Sequence, residues 1–337
     1  MNKKTLFTVS SIILVLFLGM TLASAKAKKQ PTQPKLTVVT TIFPQYDWVR
    51  EILGDKISQS SLTLLLDNGV DLHSYQPTVQ DIAKISDCDV FIYVGGESDR
   101  WVPSALKNAR NKNMQVVNLL EVLGEKVVEE EIVEGMQADE DDEHAAEGCF
   151  DKDDDEEEAE YDEHVWLSLR NAEILVKEIA SALSKADSAN ASVYQANANA
   201  YCAKLDALDK KYIAARKSAK RDTLLFGDRF PFRYMVEDYD IKYFAAFVGC
   251  SAETEASFET VAFLAKKLNE LNLGAVCQIE SSDGRIAKTI ISTAKSKGVK
   301  TLTFDSLQST TKQDMKKGAS YLKSMNENLS VLEAALN

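Results

Sequence analysis

Two of the three histidines in this chain stand in short polar segments with carboxylates close by. His73 lies two residues after Asp71 in DLHSYQP, and His164 follows Asp162 and Glu163 in DEHVWLS. A neutral imidazole binds divalent transition metals well, and nearby carboxylates lower the electrostatic cost of holding a cation. A single histidine of this kind is more often structural or merely exposed, so the arrangement of the whole chain must decide between the two interpretations.

The sequence around these histidines alternates between strand and helix patterns. Apolar, β-branched strands are predicted over residues 37–43, 61–66, 89–94 and 115–119, and again over 223–226, 243–248, 275–279 and 301–304. Between the two sets, residues 187–220 contain no Pro or Gly and have the composition of one long helix. Apolar strands separated by helices indicate parallel sheets covered on both faces. The predicted fold is therefore α/β, with two lobes, each a four-stranded, mostly parallel sheet flanked by helices, joined by one long rigid helix.

Five side chains that could bind a metal follow the ends of predicted strands. His73 and His164 follow strands of the first lobe, and Asp228, Glu280 and Asp305 follow strands of the second. Ligands of parallel sheets bind beyond the carboxyl ends of the strands. Each acid alone is more often a turn or helix-capping residue. Together the five predict a metal site in a cleft between the lobes, and mixed imidazole and carboxylate ligands suit zinc or manganese.

Most of the negative charge of the chain is concentrated in one segment. Residues 129–163 hold 20 Asp and Glu against one Lys, so the remaining residues are net positive although the whole chain carries −13. A roughly neutral protein with one acidic insert is a poor partner for nucleic acid. The insert has no periodicity and is predicted to be disordered or loosely held. It contains His144 and Cys149, and it is either a solvated linker or a collector of cations near the cleft.

The N-terminus has the pattern of a secretory signal. Lys3 and Lys4 precede an apolar stretch over residues 6–22, and Ala23-Ser24-Ala25 forms a small-residue cleavage site. The alternative is a retained anchor helix. We expect a signal peptide over residues 1–25 and an extracytoplasmic protein, in the periplasm or on the cell surface. The remainder is predicted to divide into a first lobe over 26–186, a linking helix over 187–220 and a second lobe over 221–337.

The five cysteines form no CxxC pair and no zinc-ribbon pattern. Cys250 and Cys277 each lie in or just after a predicted strand of the second lobe, so they are the first candidates for a disulfide. Cys88 and Cys202 are predicted to be small core residues.

Several segments together resemble the solute-binding proteins of zinc- and manganese-importing ABC transporters, the cluster A-I metal-binding family. The similar segments are TTIFPQYDWVREILGD, DLHSYQPTVQDIAKISDCDVFIYVGG, DEHVWLSLRNA, FRYMVEDYDI, IESSDGRIAKTI and TLTFDSL. The resemblance implies two similar lobes with one metal ion between them. It also implies two histidine ligands from the first lobe, a histidine or glutamate from the second, and a final carboxylate that matches Asp305.

The chain departs from that family pattern at the third ligand. The family's ligand precedes an aromatic-x-Tyr element, and the corresponding position here holds Arg229. A guanidinium stays protonated and cannot bind a cation. We therefore expect Asp228 or Glu280 to supply this ligand, with Arg229 bracing one of the acids.

Together with the candidate ligands, this resemblance implies a non-catalytic capture protein for zinc, with manganese as the second choice, that delivers the ion to an ABC permease; we expect it to be a monomer. It has no recognisable nucleophile–base motif, HExxH helix or Gly-rich phosphate loop. The alternatives are a surface adhesin or acidic cation buffer and, less favoured, a metal-dependent hydrolase.

Overall fold

The computed structural model describes residues 35–137, 160–251 and 255–337. The predicted signal peptide over 1–25, His144 and Cys149 lie outside the described residues. Among the described helices, none combines the length and hydrophobicity that a membrane span requires.

The first half of the chain forms one four-stranded sheet. Its elements are β1 (Leu36–Thr40), α1 (Phe43–Leu53), β2 (Ser60–Leu64), α2 (Val79–Asp87), β3 (Val90–Tyr93), α3 (Val102–Lys107), β4 (Gln115–Asn118), α4 (Leu119–Leu123) and α5 (Leu169–Ala186). The strand order is β2–β1–β3–β4 and every pair is parallel. Val38 pairs with Leu62 on one side and Val90 on the other, and Val38 and Val90 are fully buried. The sheet predicted for this half is confirmed. Its central strands, β1 and β3, are apolar and almost entirely buried, whereas the edge strands β2 and β4 are only partly buried.

A 28-residue helix, α6 (Ala191–Ser218), connects the two halves. It is shorter than the predicted 187–220 because Asp187 has non-helical backbone angles and a 3₁₀ turn, Ser188–Asn190, precedes it. Asn197 donates through Nδ2 to the carbonyl of Ile52 at 2.9 Å, and the Tyr212 hydroxyl donates to the carbonyl of Met325 at 2.6 Å. The helix is therefore bonded to both halves of the chain.

The second half consists of shorter parallel pairs. Its elements are β5 (Thr223–Leu225), β6 (Arg229–Phe230), α7 (Arg233–Asp238), β7 (Lys242–Phe244), β8 (Phe247–Val248), α8 (Phe258–Glu270), β9 (Ala275–Ile279), α9 (Arg285–Thr293), β10 (Lys300–Phe304), α10 (Lys312–Lys316) and α11 (Tyr321–Leu336). The pairs are β5–β7, β6–β8 and β9–β10, and a single bridge between Phe226 and Cys277 joins the end of β5 to β9.

One strand prediction in this half requires correction. The strand expected over 243–248 is divided into β7 and β8. Phe226 donates its N–H to the carbonyl of Phe244 at 2.8 Å, whereas Ala246 donates to the carbonyl of Asp228 at 3.1 Å. The partner strand is interrupted between these two bonds, so β8 pairs with β6, a two-residue strand too short to produce a sequence pattern.

The segment after His164 is anchored on the second half. Trp166 donates its indole N–H to the carbonyl of Ser306 at 2.9 Å, and the Tyr321 hydroxyl donates to the carbonyl of Trp166 at 2.7 Å. Trp166 and Tyr321 are fully buried. Residues 36–337 form one compact unit, and its division at residues 187 and 221 remains a prediction.

Candidate metal site

His73 lies in a 3₁₀ turn, Leu72–Ser74, that follows β2. Asp71 caps this turn: its Oδ1 accepts the backbone N–H of His73 at 3.1 Å. The side chain of His73 is 11 % exposed, and its Nδ1 lies 2.9 Å from Oγ of Ser98 and 3.6 Å from Oε2 of Glu163. The bond from His73 to Asp71 thus fixes the backbone conformation at His73, and Ser98, in the loop after β3, orients the imidazole ring.

His164 immediately precedes a second 3₁₀ turn, Val165–Leu167, and is fully buried. Oδ1 of Asp162 accepts both the backbone N–H of His164 at 2.8 Å and its ring Nδ1–H at 2.9 Å. The Tyr234 hydroxyl in turn donates to the carbonyl of Asp162 at 2.7 Å. A carboxylate on Nδ1 fixes the tautomer, which leaves the lone pair of Nε2 available to a metal.

The two imidazoles face each other through the opposite nitrogens. Nε2 of His73 and Nε2 of His164 are 3.2 Å apart. In a tetrahedral zinc site with Zn–N bonds of about 2.0–2.1 Å, two nitrogen ligands lie about 3.3 Å apart. Burial and the neighbouring His164 lower the pKa of His73 to about 3, so this ring is in its neutral, ligating form at neutral pH. The two histidines singled out from the sequence are thus placed together, at the separation that one metal ion requires.

Cys250 is a third potential ligand at this point, and the sequence analysis did not identify it as one. Its Sγ and one ring nitrogen from each of His73 and His164 all lie within 4.8 Å of one another. Cys250 follows β8 after Gly249, and a Cβ built on Gly249 would lie 3.0 Å from Cε1 of His164. The position directly after a predicted strand end was the signal available in the sequence.

The disulfide considered between Cys250 and Cys277 is not formed. Both are free thiols, as are Cys88 and Cys202. Cys88 and Cys202 are buried, in agreement with their expected role in the core.

A cavity of about 290 Å³ opens beside His73, and its lining includes Ser98, Glu130, Glu163 and Cys250. Oε1 of Glu163 accepts the backbone N–H of Ser98 at 2.8 Å. Burial raises the pKa of Glu163 to about 7. Oε1 of Glu130 accepts the backbone N–H of Cys250 at 3.1 Å, so the first residues of the acidic insert form part of this wall.

Asp228 lies in a second cavity of about 400 Å³ that it shares with His73. Its Oδ1 accepts the N–H of Arg229 at 2.9 Å, and its Oδ2 accepts the N–H of Ile279 at 3.3 Å. Burial raises the pKa of Asp228.

The other two acids predicted as ligands have hydrogen bonds of their own. Glu280 accepts the N–H of Ser306 at 2.7 Å and the hydroxyls of Ser306 and Ser309, each at 2.9 Å. Oδ1 of Asp305 accepts the N–H of Leu307 at 2.8 Å. In the described part of the chain, the close cluster of metal-ligating atoms contains the two histidines and Cys250, so ligation by Asp228, Glu280 and Asp305 stays a prediction.

Arg229 bonds to an acid that the sequence analysis did not consider as its partner. Its guanidinium contacts the carboxylate of Asp71, in the first half of the chain. Burial alone would raise the pKa of Asp71, but Arg229 holds that pKa below its ordinary value. Since Asp71 also caps the turn of His73, Arg229 reaches the histidine pair through one intervening carboxylate.

This architecture and paired-imidazole cleft fit a metal-binding class of α/β protein. The profile of the family described as zinc-uptake complex component A, periplasmic, matches residues 38–335, and the chain belongs to that family.

Two characterised relatives show how far the similarity extends. The zinc-binding protein AdcA of Streptococcus pyogenes serotype M18 is 30 % identical over 334 residues, which cover 98 % of this chain and 61 % of AdcA. The chain therefore spans about three fifths of the length of this streptococcal relative. The high-affinity zinc uptake system protein ZnuA of Bacillus subtilis is 30 % identical over 314 residues, covering 93 % of this chain and 92 % of that protein.

Solved structures show the same fold. The Zn(II)-bound ZnuA-like domain of Streptococcus pneumoniae AdcA superposes with a TM-score of 0.68 at 28 % identity, covering 90 % of this chain and 99 % of that domain. The metal-dependent lipoprotein YcdH of Bacillus subtilis superposes with a TM-score of 0.70 at 30 % identity, with the same coverage.

Proposed function

We propose that this chain captures a zinc ion outside the cytoplasm and delivers it to the membrane permease of an ABC importer. The observation that carries the proposal is the 3.2 Å separation of the two facing Nε2 atoms, with the Nδ1 of His164 held by a carboxylate. Family membership and relatives named for zinc binding and zinc uptake support zinc as the cargo. Manganese is the second candidate cargo.

In this proposal His73 and His164 are ligands, and Asp228, Glu280 and Asp305 are candidates for further oxygen donors. Asp228 is the best placed of the three, because it shares a cavity with His73. Two imidazoles and two carboxylates would neutralise the charge of a divalent ion. The protein acts as a carrier rather than an enzyme, works as a monomer and binds no nucleic acid. The secretory pattern over residues 1–25 supports an extracytoplasmic location.

The proposal is tested by titrating the metal-free protein with zinc and, separately, with manganese. We expect one tightly bound zinc per chain and weaker binding of manganese. Zinc that binds only the folded chain should also raise the melting temperature, by an amount that corresponds to about 4 kcal/mol at a free zinc concentration a thousand times the Kd. An unchanged melting temperature with every divalent ion would contradict the proposal.

His73→Ala and His164→Ala should each abolish the tight site, because each removes one of the facing nitrogens. His144→Ala is the matched control: it removes the remaining histidine, outside the paired site, and should leave the tight site intact. Cells that depend on this protein at limiting zinc should be rescued by the wild-type chain and by His144→Ala, but not by the other two variants.

A further inference from the structure

The histidine pair lies against a turn from the second half of the chain that ends in a thiol. Gly249 has no side chain, and a Cβ there would approach both the ring of His164 and the carbonyl of Phe230, each at 3.0 Å. The close packing of this backbone against His164 brings the next residue, Cys250, beside the two imidazole rings. Sγ of Cys250 and one ring nitrogen from each of His73 and His164 lie within 4.8 Å of one another and thus form a compact triangle of donors from both halves of the chain.

We propose that Cys250 is a metal ligand, so that the captured ion is held by two imidazole nitrogens and one thiolate sulfur. This inference rests on the proposed function and identifies the donor that the second half contributes at the point where sequence reasoning offered only Asp228 or Glu280. When the metal binds, the sulfur forms a bond to the ion and its proton leaves to the solvent of the adjoining cavity.

Two of the candidate carboxylates in the second half, Asp228 and Glu280, already accept several hydrogen bonds. Each oxygen of Asp228 already accepts a backbone N–H, and Glu280 already accepts three hydrogen bonds from Ser306 and Ser309. Ligation by either acid would compete with these bonds. Ligation by Cys250 would exchange one hydrogen bond, that of its thiol with Glu130, and its sulfur already lies with a nitrogen of each ring.

A thiolate ligand decides between the two candidate cargoes. Sulfur ligands select zinc, whereas carboxylate, carbonyl and water ligands suit manganese. Zn–S bonds of about 2.3 Å and Zn–N bonds of about 2.0–2.1 Å are compatible with donors in such a compact triangle. The site is therefore a zinc site that discriminates against manganese through Cys250.

The test is cobalt(II) substitution of the full mature chain, followed by absorption spectroscopy. Bound cobalt should show the visible bands of a four-coordinate ion and, in the near ultraviolet, a thiolate-to-cobalt charge-transfer band. Cys250→Ser should retain the visible bands and lose the charge-transfer band. Its zinc affinity should fall by about tenfold or more, while its manganese affinity changes little.

Two control variants and the wild-type spectrum show which cysteine, if any, gives rise to the charge-transfer band. Cys277→Ser removes a buried thiol in the middle of β9, and Cys149→Ser removes the thiol of the acidic insert; both should keep the charge-transfer band. Cobalt binding by the wild-type chain without that band would overturn the thiolate ligand while leaving the proposed capture function intact. A band that disappears in Cys149→Ser and persists in Cys250→Ser would also overturn it. Absence of any cobalt or zinc binding would overturn the capture function itself.

Discussion

Arg229 and Asp71 form an ion pair that joins the two halves of the chain beside the histidine pair. Their side chains are 13 % and 24 % exposed, so water screens the pair only in part. Asp71 accepts the backbone N–H of His73 through its other oxygen. The Asp71 carboxylate therefore both pairs with the second half of the chain and caps the turn that carries a candidate ligand.

Arg229→Gln should weaken zinc binding without abolishing it. The substitution removes the charge that ties the second half to Asp71, but every candidate donor remains. We expect affinity to fall about fivefold, corresponding to about 1 kcal/mol, as for a partly screened ion pair. Arg285→Gln is the matched control, since Arg285 lines the same cavity as Arg229 but pairs with Asp283 at the surface. Equal zinc affinity in the two variants, measured by competition with a chelating dye, would show that the Arg229–Asp71 pair has no role in binding.

Gly96 illustrates how the loop after β3 supports the site. Its φ is +75°, and a Cβ built there would lie 2.4 Å from Oε1 of Glu163. Gly298 has nearly the same φ, +76°, but a Cβ there would meet no atom within 4 Å. Gly298→Ala should therefore cost only the backbone strain, about 1 kcal/mol, and leave zinc affinity unchanged.

Gly96→Ala should show the same strain and a further effect on binding. The added methyl group must displace Glu163, whose other oxygen lies 3.6 Å from Nδ1 of His73. We expect a larger loss of stability than in Gly298→Ala and zinc affinity reduced by about tenfold, in line with the loss of groups that orient metal ligands. Urea unfolding and zinc titration of both variants measure the two effects separately. Matching values for the two variants would refute the steric argument.

The first half of the site was predictable because its determinants are local. Asp71 bonds to the backbone of His73, and Asp162 bonds to both the backbone and the ring of His164, each from two residues away. The central strands β1 and β3 of the first sheet were predictable for a similar reason: burial on both faces requires continuous apolar runs.

The residues that the second half brings to the site could not be predicted, because their positions depend on tertiary packing between residues far apart in the sequence. Arg229 meets Asp71 across 158 residues of chain. Cys250 reaches the histidines because the chain divides between β7 and β8 and because Gly249 packs on His164. A strand-end rule pointed to carboxylates, whereas the structure gives those carboxylates hydrogen bonds of their own and places a sulfur beside the imidazoles.

We expect that the acidic insert can be shortened without loss of the proposed tight site, provided that its flanking residues are kept. The backbone N–H of Glu130 donates to the carbonyl of Glu160 at 2.9 Å, and the backbone N–H of Asp162 donates to the carbonyl of Val128 at 2.9 Å. These bonds hold the two flanks together at the base of the insert. Replacing residues 138–159 with a short Gly-Ser linker should preserve one tight zinc per chain and remove weak, salt-sensitive cation binding.

Equilibrium dialysis with zinc and calcium, at low and at physiological salt, measures this outcome. The matched control is the full-length chain with the acidic residues of 138–159 changed to their amides. If the shortened chain lost the tight site while keeping its fold, the alternative of an acidic cation buffer would replace the capture function.

Asp99 makes the stability of the loop beside the site depend on pH. It is 2 % exposed, and its Oδ2 accepts the N–H groups of Val94 and Gly95 at 2.9 and 3.0 Å. Burial raises its pKa from 3.8 to about 6. The folded chain therefore binds this proton more tightly than the unfolded chain does. Protonated Asp99 therefore stabilises the folded chain. This contribution to the free energy of unfolding is about 3 kcal/mol; it is complete below about pH 4 and is lost as pH rises through 6.

Asp99→Asn keeps an oxygen acceptor and removes the titration, so the stability of the variant relative to wild type should improve as pH rises from 4 to 7. Urea unfolding of the metal-free proteins across this range measures the difference. Asp283→Asn is the control, because Asp283 is exposed and the backbone N–H of Arg285 lowers its pKa, which gives a dependence of the opposite sign. Stability curves for Asp99→Asn and wild type that ran parallel from pH 4 to 7 would show that Asp99 stays ionised in the folded protein, and that its bonds to Val94 and Gly95 outweigh its burial.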